Sequence, residues 1–168
     1  MQQIKGKVFK FGDNIDTDQI YPGRYLDLSE HSEIALHVME GADPMFRHNY
    51  RPGDIIVAGR NFGCGSSREH AVITLKTAGI GLVIAESFAR IFYRNAINAA
   101  FPVLIAPGAA AVLQAGEEIG ADLFSGRIKS SSGKIIQAEK LSDYILQIYR
   151  SGGVIPMFQS GSYQSIIG

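Results

Sequence analysis

The sequence predicts an α/β fold: one compact domain with a mixed β-sheet and flanking helices. Its 168 residues suit a single domain. A hydrophobic share of 46% with only 19% charged residues is typical of a chain that buries a core. In the middle of the chain, short apolar segments of strand length alternate with amphipathic segments of helix length. Such an alternation favours parallel strands that helices cover on their faces.

The first half of the chain contains two predicted strands, a long loop and one weak helix. Residues 8–11 fit a short strand, and residues 12–18 are rich in the Gly, Asp, Asn and Thr of loops. A weak helical pattern covers residues 29–40, with Ser29 or Ser32 as its cap. The turn at 51–54 precedes a buried strand over residues 55–58.

The second half begins with a regular alternation, which changes after Pro107. Its predicted elements are a helix over 67–78, a strand over 80–85, a helix over 86–100, a strand over 103–106, a hairpin over 122–137 and a last helix over 142–150. Gly152 and Gly153 end the last helix. We expect a loosely held tail over residues 159–168. No linker interrupts the pattern, so residues 1–168 are predicted to form one domain, with its core motifs in residues 8–107 and the hairpin and last helix in residues 117–153.

Charge and cysteine content argue against several classes of function. Sixteen basic and sixteen acidic side chains leave no net charge that would attract nucleic acid or an anionic membrane. One cysteine excludes an internal disulfide and any cluster bound by several cysteines of this chain. The longest apolar run, residues 80–85, is far shorter than the roughly 20 residues of a membrane span. With no apolar signal-peptide core near the N-terminus, a cytoplasmic location is expected.

The glycine-rich segment 59–65 and the residues that follow it are the most informative part of the sequence. Its glycines allow a tight path from strand to helix, and the start of a helix attracts carboxylates or phosphates. Arg68 in the first turn opposes the helix dipole, which an anion-binding role would explain. No lysine follows the last glycine, so the loop does not indicate a nucleotide-binding P-loop.

Ser66 has more than one interpretation on chemistry alone. With Glu69 three residues later it fits a capping box, which is a purely structural role. Catalysis or anion binding is the alternative, and the residues leave both open. His70 could serve as its base in a hydrolase, which would also need an orienting acid.

Three other features have structural and functional interpretations side by side. Asp13, Asp16 and Asp18 offer oxygen ligands for calcium, but the glutamate expected twelve residues from the first aspartate is replaced by Arg24. A polar loop edge or a hydrogen-bonding role in an active site is the alternative. Arg90 and Arg94 are most simply a solvated helix face. Cys64 is interpreted as a packed small residue, with contact to a substrate or partner as the alternative.

Three motifs in a fixed order resemble a known family. They are GDNIDTDQI at 12–20, GCGSSREHA at 63–71 and SFARIFYRNA at 87–96. Together they resemble the swivel domain of the aconitase superfamily, in particular the small subunits of 3-isopropylmalate dehydratase and their homoaconitase-like relatives. The resemblance covers about residues 8–107. It implies a single swivel domain of the aconitase C-terminal type, a mixed sheet or partly open barrel with helices, in β/β/α layers.

The resemblance also implies a reaction and the residues for it. Ser66 would be the catalytic base, acting as an alkoxide, whereas Ser67 and Arg68 would contact substrate carboxylates. Asp18 matches an active-site aspartate, and Thr17 beside it is assigned to substrate binding. The reaction would be removal and re-addition of water that interconverts 2- and 3-isopropylmalate in leucine biosynthesis. Homoaconitase or dimethylmalate dehydratase chemistry is the alternative. A helix N-terminus and a guanidinium would lower the cost of a serine alkoxide.

The implied cofactor and partner belong together. The family carries a [4Fe–4S] cluster on its large subunit, so this chain is expected to bind no metal or cofactor and to be active only with that subunit. A homo-oligomer is the alternative for the isolated chain. Two other hypotheses stay open: an anion-binding interaction module without the reaction, and a self-sufficient hydrolase using Ser66 and His70.

The loop after the first motif is expected to set substrate specificity; its residues are Arg24, Tyr25, Leu26, Asp27 and Leu28. In the family, an apolar residue near position 27 accompanies an isopropyl group, and an arginine accompanies an extra carboxylate. Asp27 is neither, and a carboxylate facing either group would be unfavourable. Either Asp27 points away from the substrate, or the substrate is another malate.

Overall fold

The computed structural model describes residues 3–161 and Gln164, and these residues form one α/β domain around a seven-stranded sheet. The order across the sheet is β4-β3-β2-β1-β5-β6-β7. Strands β1 to β4 pair in parallel, whereas β5 to β7 pair antiparallel, so the predicted mixed sheet is confirmed. The strands are β1 (Gln3–Lys10), β2 (Ile55–Ala58), β3 (Leu82–Ala85), β4 (Val103–Ile105), β5 (Glu118–Asp122), β6 (Arg127–Ser130) and β7 (Ile135–Gln137).

Two hydrophobic cores, one on each face of the parallel strands, produce the predicted β/β/α layers. The side chains of β2 and β3 are buried along their whole length, and neighbouring residues of each strand belong to opposite cores. Ile56 packs with the helices, whereas Ile55 packs in the second core with Leu104 of β4, Ile119 of β5 and Ile128 of β6. Since the two ends of the sheet share that core, the sheet curls into the predicted partly open barrel.

The helices are α1 (Thr17–Ile20), α2 (His31–Ala35), α3 (Phe46–Asn49), α4 (Glu69–Thr77), α5 (Arg90–Asn98), α6 (Ala109–Val112), α7 (Asp143–Ser151) and α8 (Val154–Ser160). Except for α6, whose Ala109 packs in the second core, they cover the outer face of the parallel strands. A 3-10 turn, Gly23–Tyr25, follows α1. None of the helices in the described part of the chain has the length and apolarity needed to span a bilayer.

Several predicted boundaries between residues 12 and 90 were wrong. The last two residues of the segment expected to be a loop, 12–18, begin α1, because Asp16 and Gln19 form a capping box. The weak helix over 29–40 is only the five-residue α2; its N-cap is Glu30, so neither Ser29 nor Ser32 caps it. Helices α4 and α5 start two and four residues later than the pattern suggested.

The C-terminal part, residues 118–160, contains one more strand and one more helix than the sequence pattern predicted. The hairpin spans residues 127–137, because residues 118–122 pair with β1 as well as with β6. Ser142 caps α7 by accepting a hydrogen bond from the Ile145 N–H, and Gly152 ends it in the left-handed conformation. Residues 159 and 160 of the expected tail belong to α8. Beyond residue 161, all of that tail except Gln164 lies outside the described residues.

Candidate active site

The three motifs meet at one edge of the sheet. They follow β1, β2 and β3, three neighbouring parallel strands whose carboxyl ends share that edge. Isolated bridges continue the pairing beyond the strands, between Asp16 and Cys64 and between Phe62 and Phe88. The topology therefore brings together segments that are far apart in the sequence, at residues 12–20, 63–71 and 87–96.

Thr17 joins the first motif to the second. It is 4% exposed, and its hydroxyl donates a hydrogen bond to the Ser66 carbonyl oxygen at 3.0 Å. Its backbone N–H donates to the Cys64 carbonyl at 2.8 Å. In the opposite direction, the Gly63 N–H donates to the Ile15 carbonyl at 2.7 Å. These three bonds fix the main chain around Ser66.

Ser66 and Ser67 are exposed, and their hydroxyls make no hydrogen bond with any described residue. Of the two interpretations of Ser66, the capping box with Glu69 was wrong, because α4 begins at Glu69 and its N-cap is Arg68. Arg68 precedes the first turn rather than lying within it, and its side chain makes no capping bond. The Ser66 hydroxyl is therefore left available for chemistry.

Asp18 orients the guanidinium of Arg68. The Arg68 Nη1 lies 3.2 Å from the Asp18 Oδ1, and the Gly23 N–H donates to the same oxygen at 2.7 Å. The Gly23 N–H first, and Arg68 second, lower the pKa of Asp18 below its ordinary value of 3.8. The Asp18 side chain is 65% exposed, so this pair adds little stability. Its consequence is that the guanidinium of Arg68, two residues after Ser66 in the sequence, is held in place by Asp18.

An open pocket of about 180 Å³ lies in front of these residues. The second motif lines one side and the first turns of α5 line the other; the lining residues are Thr17, Gly63, Gly65, Ser66, Ser67, Arg68, Ala89, Arg90, Ile91, Phe92 and Asn95. A Cβ on Gly63 would lie 2.2 Å from the Phe92 ring, so this glycine allows the two walls to meet. Such a pocket, with hydroxyls and guanidinium groups, suits a small carboxylate.

Sequence reasoning missed two residues of this pocket. Arg90 was read with Arg94 as a solvated face, but Arg90 lines the pocket and Arg94 does not. Asn95 also lines it, one turn farther along α5. The sequence offered no signal for Arg90, because the predicted helix began at residue 86; only the structure shows that α5 starts at Arg90, where the dipole disfavours a cation.

His70 faces the specificity loop and not Ser66. Its ring stacks on the buried Tyr21 ring at a centroid distance of 5.4 Å, and its Nε2 lies 3.4 Å from the Leu28 carbonyl oxygen. The Tyr21 hydroxyl donates to the Tyr25 carbonyl at 2.6 Å. No bond between Ser66 and His70 forms, so the geometry does not support the hydrolase hypothesis.

The predicted specificity loop packs beside the pocket without lining it. The Tyr25 ring stacks on His37 at 3.5 Å, and the Arg24 guanidinium lies 4.7 Å from the centre of the Tyr25 ring. Glu40 contacts both Arg24, at 3.7 Å, and His37, at 3.1 Å. Leu26 and Asp27 are exposed, and Asp27 makes no hydrogen bond or ion pair with any described residue. This loop is thus held by its aromatic residues.

The carboxylates of the first motif do not form a calcium site. Asp13 accepts from the Arg60 N–H at 2.7 Å, Asp16 caps α1, and Asp18 pairs with Arg68. Within residues 3–161 and Gln164, no three metal-ligating side chains come together. Cys64 is half-buried, and burial raises the pKa of its thiol, with the Asp16 charge adding to that effect. With one cysteine, the chain does not fit an iron–sulfur cluster of its own.

A family model and two similar proteins agree on the family that this chain resembles. A family model described as the aconitase C-terminal domain matches residues 35–107, which include the second and third motifs. The 3-isopropylmalate dehydratase small subunit 1 of Methanopyrus kandleri is 50% identical over 93% of this chain and 92% of that protein. The methanogen homoaconitase small subunit of Methanothermobacter thermautotrophicus is 54% identical over 90% of this chain and 88% of that protein.

A solved structure shares the fold over the full length. The crystal structure of a 3-isopropylmalate dehydratase from Methanocaldococcus jannaschii superposes with a TM-score of 0.91 and 43% sequence identity. The match covers 99% of this chain and 100% of that chain.

Proposed function

Because this chain belongs to the family of 3-isopropylmalate dehydratase small subunits, which carry the aconitase C-terminal domain, we propose that it supplies half of a hydro-lyase active site. The reaction is the interconversion of 2- and 3-isopropylmalate by loss and re-addition of water. One observation carries the proposal: Ser66, whose hydroxyl bonds to none of the described residues, lines a pocket together with an arginine that Asp18 holds in place.

Ser66 acts as the base in this proposal. As an alkoxide it takes a proton from a substrate carbon, while the hydroxyl group leaves the neighbouring carbon with its bonding electrons. A carbon–carbon double bond forms. Ser66 keeps the proton, and this proton and the departed hydroxide together account for the water that is lost. Re-addition on the exchanged carbons, with the proton returned from Ser66, gives the isomer. The Arg68 charge and the N–H groups at the start of α4 lower the cost of the alkoxide.

Arg68 and Ser67 bind one carboxylate of the substrate. A guanidinium has five N–H donors, and the bond to Asp18 uses one nitrogen of three. The remaining donors match the two oxygens of a carboxylate, which fixes the orientation of the substrate. Ser67 adds a hydroxyl donor from the same wall of the pocket. Asp18 positions Arg68, and Thr17 positions Ser66.

The large subunit of the same enzyme is the proposed partner. Its [4Fe–4S] cluster would supply a Lewis acid for the leaving hydroxyl group. This chain has one cysteine, and its pocket opens to solvent, so a second chain is needed to complete the site. We propose that the complex is cytoplasmic, because an unpaired cysteine stays reduced there.

The choice of substrate depends on the relatives and on the specificity loop. Similar proteins carry the names of isopropylmalate and homoaconitate chemistry at comparable identity, and dimethylmalate dehydratase is a further alternative. Isopropylmalate is preferred because Asp27 is exposed and unpartnered among the described residues, which supports the interpretation that it points away from the pocket. Steady-state rates on isopropylmalate, citramalate, dimethylmalate and homocitrate would decide between them.

Reconstitution with a cluster-loaded large subunit tests the function. The isolated chain should be inactive, and the complex should form the unsaturated acid, which is followed by its ultraviolet absorbance. Ser66→Ala should lower kcat by about a thousandfold or more, since a positioned base contributes roughly 10²–10⁴. Ser131→Ala, in the exposed turn between β6 and β7, is the matched control and should leave the rate unchanged.

Two outcomes would contradict the proposal. A Ser66→Ala complex with a near-wild-type rate would show that Ser66 is not the base. An anion-binding module would bind the substrate, measured by calorimetry, but the wild-type complex would not turn it over.

A further inference from the structure

We propose that Arg90 binds the second carboxylate of a dicarboxylate substrate, across the pocket from Arg68. This inference rests on the proposed function and extends it to a residue outside the Gly-Ser-Ser-Arg motif. It assigns the α5 wall a role in recognising dicarboxylates, whereas the α4 wall carries the base.

The first argument is that Arg90 is free to bind an anion. It lines the same pocket as Ser66 and Arg68, and it is exposed to solvent. Its guanidinium makes no hydrogen bond or ion pair with any residue in the described part of the chain. The first turn of α5 holds no acidic residue that would neutralise it.

The second argument is the charge balance of the pocket. Arg68 and Arg90 are its two charged lining residues, and Asp18 already pairs with Arg68. Without Arg90, the net charge around the pocket would be close to zero, whereas a malate-type substrate carries two negative charges at neutral pH. A second carboxylate left without a cation would lose the charge-assisted hydrogen bonds that hold such groups in proteins.

The third argument is the position of Arg90 in α5. It is the first residue of a nine-residue helix, where the dipole disfavours a cation, and the N-cap Ala89 offers no capping side chain. Arg68 lies one position earlier relative to its helix, as the N-cap of α4, and is also close to the positive end of the dipole. An anion between the two walls would offset the cost of both arginines. Asn95, on the next turn of α5, adds an amide that faces the same pocket.

The test uses the reconstituted complex and a matched pair of variants. Arg90→Gln and Arg94→Gln remove the same charge from the same helix, but Arg94 does not line the pocket. We expect Arg90→Gln to raise KM for isopropylmalate by about tenfold to a hundredfold and to leave kcat nearly unchanged. Arg94→Gln should change KM by less than about twofold. Arg90→Lys should be intermediate, because lysine keeps the charge but not the two-pronged geometry.

A second measurement separates carboxylate recognition from a structural effect. Isopropylsuccinate and its monoamide differ by one negative charge, and both lack the reacting hydroxyl. The wild-type complex should bind the diacid much more tightly than the monoamide, and Arg90→Gln should lose most of that preference. Arg94→Gln should keep it.

Each outcome separates this inference from the proposed function. An active complex in which Arg90→Gln keeps the wild-type KM and the diacid preference would overturn the inference and leave the function intact. A defect that disappears when more large subunit is added would show that Arg90 serves assembly, which also overturns it. A wild-type complex inactive on every substrate would overturn the function, and calorimetric titration with the two inhibitors would then still decide whether Arg90 binds a carboxylate.

Discussion

The hydroxyl of Thr17 donates a hydrogen bond to the carbonyl oxygen of Ser66 across 49 positions of sequence. Thr17 is buried, and its own N–H is held by the Cys64 carbonyl, so it has little freedom to move. The main chain that carries Ser66 is therefore fixed from the loop after β1. If Ser66 is the base, as proposed, Thr17 is a positioning residue, because it would act on the reaction through the backbone of Ser66.

Thr17→Val should lower kcat while leaving the fold in place. Valine has the same shape as threonine but no donor, so the Ser66 carbonyl loses its partner and the serine can shift. Small misplacements of reacting groups cost up to about a hundredfold, and we expect a loss of roughly tenfold to a hundredfold in kcat. The measurement is the steady-state rate of the reconstituted complex, with circular dichroism as the check on folding.

Thr17→Ser provides the control for that prediction. Serine keeps the hydroxyl that donates to Ser66, so the rate should return to near wild type. Equal losses in the valine and serine variants would mean that the methyl group of Thr17, and not its hydrogen bond, matters to the site.

The parallel strands could be predicted because their composition leaves little choice. Residues 55–58 and 82–85 are apolar on both faces, and only a strand covered on both sides buries them all. The helix starts were predicted less well. Asp16 caps α1 in a segment that looks like a loop, whereas Ser66, which fits a capping box, caps nothing. Either residue could cap a helix or not by its local chemistry. The contacts between the loops after β1 and β2 determine that Asp16 does and Ser66 does not.

The pocket itself could be predicted only in part. The glycines and serines of the second motif mark one wall, because few other residues allow that backbone path. On the other wall, Arg90 and Arg94 are equivalent by helical periodicity, since they are four residues apart. Which one lines the pocket depends on how α5 packs against the loop at Gly63, and no local pattern contains that information.

Asp18→Asn should weaken substrate binding more than it weakens the fold. The wild-type carboxylate holds Arg68, and an amide at this position keeps the shape but loses the charge. We expect KM to rise several-fold, as measured on the reconstituted complex. Because Asp18 is mostly exposed, the free energy of unfolding in urea should fall by less than about 1 kcal/mol at pH 7.

The pH dependence of that small difference follows from the lowered pKa of Asp18. A carboxyl whose pKa is lower in the folded state stabilises it above the unfolded value, here 3.8, and the effect is lost as the pH falls through the folded value. The stability difference between wild type and Asp18→Asn should therefore hold from pH 7 to about pH 5 and fade below pH 3.8. A difference that grows with acid would contradict the ion pair with Arg68.

Gly63→Ala should destabilise the protein by separating the two walls of the pocket. Gly63 has a φ of 86°, and an added Cβ would lie 2.2 Å from the Phe92 side chain. Left-handed strain and overpacking together should cost about 2–4 kcal/mol in urea unfolding.

Gly133→Ala is the control: its φ is 90°, but nothing lies within 4 Å of the added Cβ. It should cost only about 1 kcal/mol. Equal losses in both variants would show that the Phe92 contact does not constrain this position.

Tyr149→Phe should lower stability without changing catalysis, because Tyr149 lies in the core away from the pocket. Its hydroxyl donates to the Phe101 carbonyl at 2.9 Å and accepts from the Val103 N–H at 3.3 Å, so phenylalanine leaves two buried groups unpaired. We expect a loss of about 1–3 kcal/mol in urea unfolding at pH 7. Tyr144→Phe, on the exposed side of α7, should change stability by less than about 0.5 kcal/mol.

The same pair of variants tests the environment of Tyr149 through pH. Burial raises the pKa of Tyr149 above its ordinary value of 10.0, so the unfolded chain loses this proton first as the pH rises. Wild-type stability should then fall above pH 10 more steeply than that of Tyr149→Phe, which has no proton to lose, and the gap between them should narrow. A gap that stays constant through that range would mean that the hydroxyl is reached by water, and that its two hydrogen bonds contribute less to the core than their burial indicates.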